Sequence, residues 1–441
     1  MVGGGGDVQQ RWQHLVLSEF IVNFAQRFFR KGNFEFGFYQ QDNGFAIGIW
    51  LVGAHGKTVG WTDPLVNSNA KMEFTTSNKL LLITEKGERK LIANTSNSSA
   101  SMLDSGNFVI GNKDSDIIWE SFKPPTDTIL QGQVQPTEGQ LFSSVSDTNH
   151  STGRFHLKMQ SDGNLVLYPS NTEDCPQRPL HSLSSSSVVR LLTYSMNVSN
   201  ELMPNAYWAS NTAYKNGAVF HLFLDSTGLL SIVNTTSFKL IRSLNVQTSL
   251  ANANQGGNIV YRVTVDANGN FQLYSHVIHN KVNNVNAFED HDQVSVAWSA
   301  LKYPREVKGI CGLNSYCTLY DRQPNCVCIP GTEYADPDRR SLDCLRNFSE
   351  IECGSDGKEN VRIYNITRIE SIKWGDISYA YIKMTDLEEC SRSCLEDCNC
   401  GAAMFDESSF CTKQKLPLRH VRRDFDNPTM ASRWAKEEAP N

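Results

Sequence analysis

Long apolar runs are missing from this 441-residue chain. No stretch of about 18 or more residues is apolar throughout, which excludes a membrane-spanning helix. The first apolar stretch, His14 to Phe29, is broken by Ser18, Glu19, Asn23, Gln26 and Arg27. Excess positive charge is missing too: 41 Lys and Arg stand against 47 Asp and Glu, net -6, with no basic stripe to hold a nucleic acid. Neither Gly-x-Ser-x-Gly nor His-Glu-x-x-His occurs, so a hydrolase finds no support. Glu289-Asp290-His291-Asp292 could hold a cation, but reads better as a solvated loop. The segment Met1 to Asp7 has no basic region and no apolar region of a signal peptide. A fragment, a misassigned first exon and a secretion-deficient gene product remain open, the first two favoured.

What is present is frequent turning. Phe34–Tyr39, Gly48–Leu51, Thr58–Trp61, Lys79–Ile83 and Asn107–Ile110 read as short strands. Asp42-Asn43-Gly44, Ser77-Asn78 and Asp104-Ser105-Gly106 break them, which predicts an all-β region. One unit recurs: Leu103-Asp104-Ser105-Gly106-Asn107, Gln160-Ser161-Asp162-Gly163-Asn164, Leu224-Asp225-Ser226-Thr227-Gly228 and Asp266-Ala267-Asn268-Gly269-Asn270. Recurrence of a turn and strand predicts pseudo-symmetric β architecture.

The copy at 160–168 carries chemistry. Read as a strand, its alternate residues Gln160, Asp162, Asn164, Val166 and Tyr168 share one face. A carboxylate and two amides suit sugar hydroxyls, valine suits ring carbons, and tyrosine adds a hydroxyl. An ordinary strand after a turn is the plain alternative. The spacing resembles the Q-x-D-x-N-x-V-x-Y signature of bulb-type mannose-binding lectins. The copies at 103–111 and 266–274 are degenerate and are expected to contribute little.

Of twelve cysteines, Cys175 stands alone and eleven lie between 311 and 411. Their varied spacing indicates disulfides in an oxidising compartment. Paired C-x2-C knuckles are lacking, so zinc is not expected, nor any other metal or cofactor. Sequons at Asn94, Asn97, Asn149, Asn197, Asn234, Asn347 and Asn365 predict a glycoprotein of the secretory pathway. Thr385 or Asp386 can cap a helix that sets Cys390 and Cys394 on one side.

Trp119-Glu120-Ser121-Phe122-Lys123-Pro124-Pro125-Thr126-Asp127-Thr128, Cys311-Gly312-Leu313-Asn314-Ser315-Tyr316-Cys317 and Pro324-Asn325-Cys326-Val327-Cys328 complete a pattern. Together with the lectin-type repeats and the late cysteines, it resembles the extracellular region of plant G-type lectin S-receptor-like serine/threonine kinases. The resemblance implies a mainly β chain. Bulb-lectin β-prism domains at 30–142 and 143–300 follow an atypical segment 1–29. An EGF-like module at 305–345, an α+β PAN/apple module at 346–425 and a tail at 426–441 complete it. It implies bridges Cys311–Cys326, Cys328–Cys344, Cys390–Cys411 and Cys394–Cys400, with Cys353–Cys398 as a weaker expectation. The first EGF cysteine is missing, with Arg305 near its place, so Cys317 loses its partner; Cys175 has none in sequence. Glycans or glycoproteins are the implied partners, with homo- or heterodimerisation through the EGF/PAN region. The implied location is the outer face of the plasma membrane or secretion. The kinase motifs are absent, so this chain is not expected to be an enzyme. The competing reading is a structural interaction ectodomain with a vestigial sugar face.

Overall fold

Asx-Gly turns and short apolar alternations build two sets of strands with one topology. In this computed structural model the described residues are 15–16, 20–23, 27–41, 44–52, 58–66, 71–75, 79–84, 86–94, 99–112, 114, 116–123, 125–169, 206–213, 219–237, 239–245, 258–278, 293–321, 323–346, 364–373, 378–406, 408–423 and 432–438. They fall into two compact units that divide near residue 300.

In the first unit the leading strands are β1 (Leu15–Val16), β2 (Phe20–Asn23) and β3 (Arg27–Lys31). Then come β4 (Phe34–Gln41), β5 (Gly44–Leu51), β6 (Thr58–Val66), β7 (Lys71–Phe74), β8 (Lys79–Ile83), β9 (Arg89–Asn94), β10 (Ser99–Met102), β11 (Phe108–Gly111) and β12 (Ile117–Glu120). Each leading strand joins a later three-strand meander: β3 with β4-β5-β6, β2 with β7-β8-β9, and β1 with β10-β11-β12. The pairing is nested, the first strand waiting for the last meander.

The same nesting recurs. The leading strands are β13 (Thr128–Leu130), β14 (Val134–Gln135) and β15 (Gln140–Ser144). The meanders follow as β16 (Thr152–Met159), β17 (Leu165–Pro169) and β18 (Trp208–Ala209), then β19 (Phe220–Leu224), β20 (Leu230–Asn234) and β21 (Lys239–Ser243), then β22 (Asn258–Val265), β23 (Phe271–Ile278) and β24 (Gln293–Ser299). The sheets are β15-β16-β17-β18, β14-β19-β20-β21 and β13-β22-β23-β24. Each set is a β-prism. The divide therefore falls between Glu120 and Thr128; one at 142/143 would cut through β15.

Alternation sends one face of every sheet inward. Leu141, Leu157 and Leu167 stand opposite one another across three strands, as do Leu222 with Ile232 and Val263 with Leu273. All are fully buried, each stabilising by about 1.5–3 kcal/mol relative to exposure. In the first prism Phe36 stacks on Phe108 at 4.0 Å. Val260 and Ile278 of the second prism enter that same cluster, so the two cores are continuous. Elsewhere along the seam, Gln41 Nε2 donates to Asn149 Oδ1 (3.3 Å) and Ser151 Oγ (3.4 Å). A glycan on Asn149 would leave from within this seam, whereas Asn94 and Asn365 are exposed. Asn234 Oδ1 accepts from the Thr236 and Ser237 amides. Asn97, Asn197, Asn347, Cys175, Cys353 and the 289–292 cluster lie outside the described residues.

The second unit contains β25 (Ser315–Tyr320), β26 (Gln323–Cys328), β27 (Thr332–Tyr334), β28 (Cys344–Arg346), β29 (Tyr364–Ile369), β30 (Ile372–Lys373), β31 (Ala380–Lys383), α1 (Leu387–Leu395), β32 (Ala402–Phe405), β33 (Phe410–Gln414), β34 (Val421–Arg423) and β35 (Ser432–Glu438). Asp386 caps α1, accepting from the Glu389 amide at 2.8 Å, and Cys390 and Cys394 share its buried side. Disulfides join Cys311 to Cys326, Cys328 to Cys344, Cys390 to Cys411 and Cys394 to Cys400. Cys398 is also disulfide-bonded. Cys317 is free and buried; burial pushes its thiol up to about 11, against the charges of Arg305 and Arg422.

The modules expected at 305–345 and 346–425 are not separate bodies. Strand β25 pairs in parallel with β34, which pairs with β30, and Ile329 packs with Ile372, Leu418 and Val421. Two small cysteine-rich segments thus share one sheet and one cluster, as segments too small for separate cores must. Among the described residues, no helix is long and apolar enough to cross a membrane.

Candidate functional site

The nonapeptide 160–168 is half turn and half strand, not one strand throughout. The Gln160 amide donates to the Asn164 carbonyl (2.9 Å) and the Gly163 amide to the Gln160 carbonyl (3.0 Å). Gly163 has φ +84°, a left-handed conformation that glycine adopts without a Cβ penalty. Side-chain convergence therefore comes from the turn for Gln160, Asp162 and Asn164, and from strand alternation only for Val166 and Tyr168. It spans the motif: Gln160 Nε2 donates to Tyr168 Oη at 2.5 Å.

Asp162 and Asn164 each combine structural bonds with one remaining polar atom. Asp162 Oδ1 accepts from the Asn164 amide at 2.9 Å, closing an Asx turn. Asn164 Oδ1 accepts from Ser210 Oγ (3.2 Å) and the Thr212 amide (3.3 Å). Among the described residues, Asp162 Oδ2 and Asn164 Nδ2 have no hydrogen-bond partner. Both side chains are half-buried, which leaves one acceptor and one donor within reach of solvent. Val166, opposite Lys158 and Ala209 in the sheet, is only 2% exposed.

Ser210 and Thr212 lie outside the motif. They follow β18, a two-residue strand far along the chain from β17. A signal existed: Trp208-Ala209-Ser210 echoes Trp119-Glu120-Ser121. Ser121 Oγ donates to Asn107 Oδ1 at 3.1 Å, as Ser210 does to Asn164.

The other copies keep the turn and lose the polar face. Gly106, Gly228 and Gly269 have φ +86°, +83° and +84°. Leu103, Ser105 and Gly111 replace Gln160, Asp162 and Tyr168 in one sheet; Asp225, Thr227 and Val233 do so in another. The copy at 266–274 is polar but closed on itself. Tyr274 Oη donates to Asp266 Oδ2 (2.8 Å) and Gln272 Oε1 (3.1 Å). Arg262 lies 4.0 Å over the Tyr274 ring and donates through Nε to His276 Nε2 at 3.0 Å.

That closed cluster makes a pH prediction. Burial pushes the Asp266 carboxyl from 3.8 up to about 7, opposed by Tyr274 and Arg262. Burial, then the Arg262 charge, pulls His276 from 6.5 down to about 4. The Asp266 contribution is complete below its unfolded value and is lost as pH rises through about 7. The His276 contribution is complete above 6.5 and is lost as pH falls through about 4. The two slopes oppose each other between these limits. His276→Gln should therefore leave a first unit whose urea midpoint falls as pH rises from 4 to 7, where the unmodified chain is flatter. Parallel curves for both proteins would contradict it.

A D-mannose binding lectin family model matches residues 59–140, and a PAN-like domain model matches 362–416. The G-type lectin S-receptor-like serine/threonine-protein kinase LECRK3 of Oryza sativa subsp. indica is 30% identical over 342 residues, covering 75% of this chain and 37% of that protein. The kinase of the same type named RLK1 in Arabidopsis thaliana is 26% identical over 416 residues, covering 89% and 45%. The chain thus spans less than half the length of these relatives. Among solved structures, the mannose-specific agglutinin from snowdrop (Galanthus nivalis) bulbs complexed with methyl-alpha-D-mannoside is 18% identical. It covers 37% of this chain and 99% of its own, with a TM-score of 0.21.

Proposed function

We propose, on the premise that the chain belongs to the G-type lectin S-receptor-like family through its lectin and PAN regions, that it is a carbohydrate-binding ectodomain with its sugar site at Gln160, Asp162, Asn164 and Tyr168 over Val166. The observation that carries this reading is the pair Asp162 Oδ2 and Asn164 Nδ2, unpartnered among the described residues. A sugar hydroxyl donates to the first and accepts from the second, so neighbouring hydroxyls of a mannose-type ring satisfy both. The bond to the carboxylate is charge-assisted and the stronger one. The Gln160–Tyr168 bond holds the phenol in place before any ligand arrives, which removes an ordering cost from binding.

One shallow site binds a monosaccharide at about millimolar Kd, roughly -4 kcal/mol. Useful retention on a cell surface then comes from several sites engaging glycans or glycoproteins together, through receptor association or polymeric ligands. An extracellular place, sensing of external ligands and association through the cysteine-rich unit complete the proposal. A purely structural ectodomain is the reading that the same experiment separates.

That experiment is Asp162→Asn. Asparagine keeps Oδ1 for the Asx turn, so the thermal midpoint should not move. Exchanging the charged acceptor for a donor should weaken methyl α-mannoside binding about 10- to 100-fold by NMR titration, from ~1.5–3 kcal/mol for a hydrogen bond to a charged group. Unchanged affinity in the variant, or no binding by the parent chain, rejects the site. Asn164→Ala is the poorer probe, because it also removes the acceptor that fixes Ser210 and Thr212.

A further inference from the structure

The face of the sheet β15-β16-β17-β18 that carries Val166 and Tyr168 carries further side chains. Phe142 stands opposite His156, and His156 opposite Tyr168, so the three side chains share that face. Their rings form a row. Phe142 and His156 have centroids 5.5 Å apart with planes at 32°; His156 and Tyr168 are 5.2 Å apart at 22°. The inner end of the row is the motif tyrosine. The outer end, on the edge strand, is a phenyl ring 38% exposed, while His156 between them is 2% exposed.

The neighbouring row on the same face is polar. Gln140 stands opposite Lys158, and Lys158 opposite Val166. The Lys158 ammonium is held 3.0 Å from the Glu138 carboxylate. An aromatic row that ends in an apolar phenyl ring thus runs beside an amide and an ammonium. That pairing suits a pyranose chain, which presents C–H faces to one side and hydroxyls to its edges.

The same position in the other sheets of this prism is different. Leu130 stands opposite Arg262, and it is buried. In the sheet headed by β14, the registers put Pro136 next in line opposite His221. The aromatic extension therefore occurs on the sheet that also keeps the complete motif, and on no other sheet of the second prism among the described residues.

We infer that Phe142 is the platform of a second subsite, so that this face selects oligosaccharides of two or more hexose residues over a single terminal sugar. This rests on the carbohydrate reading of the 160–168 face. From Tyr168 to Phe142 is two inter-strand spacings, roughly 10 Å, so a ligand that occupies both ends must extend beyond one ring. The first ring is held by Asp162 and Asn164. A following ring lies on Phe142, with Gln140 and Lys158 reaching its hydroxyls.

The test uses the full chain with two probes, methyl α-mannoside and a linear α-linked mannotriose, titrated by calorimetry or NMR. The parent chain should bind the triose about tenfold more tightly, more than its number of rings accounts for, from burial of one apolar sugar face. Phe142→Ala should erase that advantage and leave the monosaccharide affinity unchanged. Phe142→Trp should preserve it. Asp162→Asn should weaken both ligands. Because Phe142 is exposed, a thermal melt should show no loss of fold in Phe142→Ala. An advantage that persists in Phe142→Ala, or is absent in the parent chain while the monosaccharide still binds, overturns the subsite alone. Failure of the parent chain to bind either probe, or indifference to Asp162→Asn, overturns the sugar site and the subsite with it.

Discussion

Gly163→Ala should cost the first unit about 2–5 kcal/mol. At φ +84° a Cβ carries the left-handed penalty, about 1–2 kcal/mol. That Cβ would also stand 2.6 Å from ring atoms of Phe220, which is fully buried and has nowhere to retreat. Overpacking of this kind adds about 1–3 kcal/mol. Gly87→Ala separates the two effects: φ is +79°, but nothing lies within 4 Å of its Cβ. It should cost only the backbone share, about 1–2 kcal/mol. Urea denaturation followed by near-UV dichroism reads both. Equal losses in the two variants would mean that the Phe220 contact carries no weight. Sugar binding should fall in Gly163→Ala alone, since Asp162 and Asn164 hang from that turn.

Removing the Cys390–Cys411 bridge with a double alanine variant should cost the second unit about 3 kcal/mol. The bridge closes a loop with a sequence separation of 21, and releasing it returns that entropy to the unfolded chain. The surrounding cluster consists largely of cystine: Cys390, Cys394, Cys400 and Cys411 around Ala403. Ile366, Met384, Leu387 and Phe405, all partly buried, pack against it. The Cys394–Cys400 bridge, with a separation of 6, should be worth about 2 kcal/mol by the same relation. Scanning calorimetry should show the second unit's transition moving down while the first unit's stays. A larger shift for Cys394/Cys400 than for Cys390/Cys411 would contradict the loop-length account.

Turns were the most legible feature, because glycine at a left-handed position leaves a fixed local signature. Gly106, Gly163, Gly228 and Gly269 were readable as one repeated unit, and all four adopt nearly the same φ. Inward alternation in Leu165 and Leu167 was equally plain. Pairing over long distances was not. No local residue says that β13 bonds to β22, or that Ser210 holds Asn164. The 160–168 face was legible as chemistry but not as geometry, since a period of two hides a turn that brings the same residues together. Thr128–Leu130 is too short a strand to announce in sequence that it pairs with the last meander of the second prism. Nothing local to β25 signals β34 as its neighbour either, since a parallel partner lies far along the chain.

Nested pairing sets a timetable for synthesis. As the first prism leaves the ribosome, β3 and β4 can close at once, because only Gly32 and Asn33 separate them. Strand β1 must wait: Leu15 pairs with Ala100, 85 residues later. At ~5–20 residues per second that delay is roughly 4–17 s. For that interval the strand is an unsatisfied edge, the kind of surface that recruits a wrong neighbour. The second prism repeats the delay with Leu130, which waits for Arg262. In both prisms the strand that is made first is thus among the last to be paired, and its brevity limits what it can recruit meanwhile.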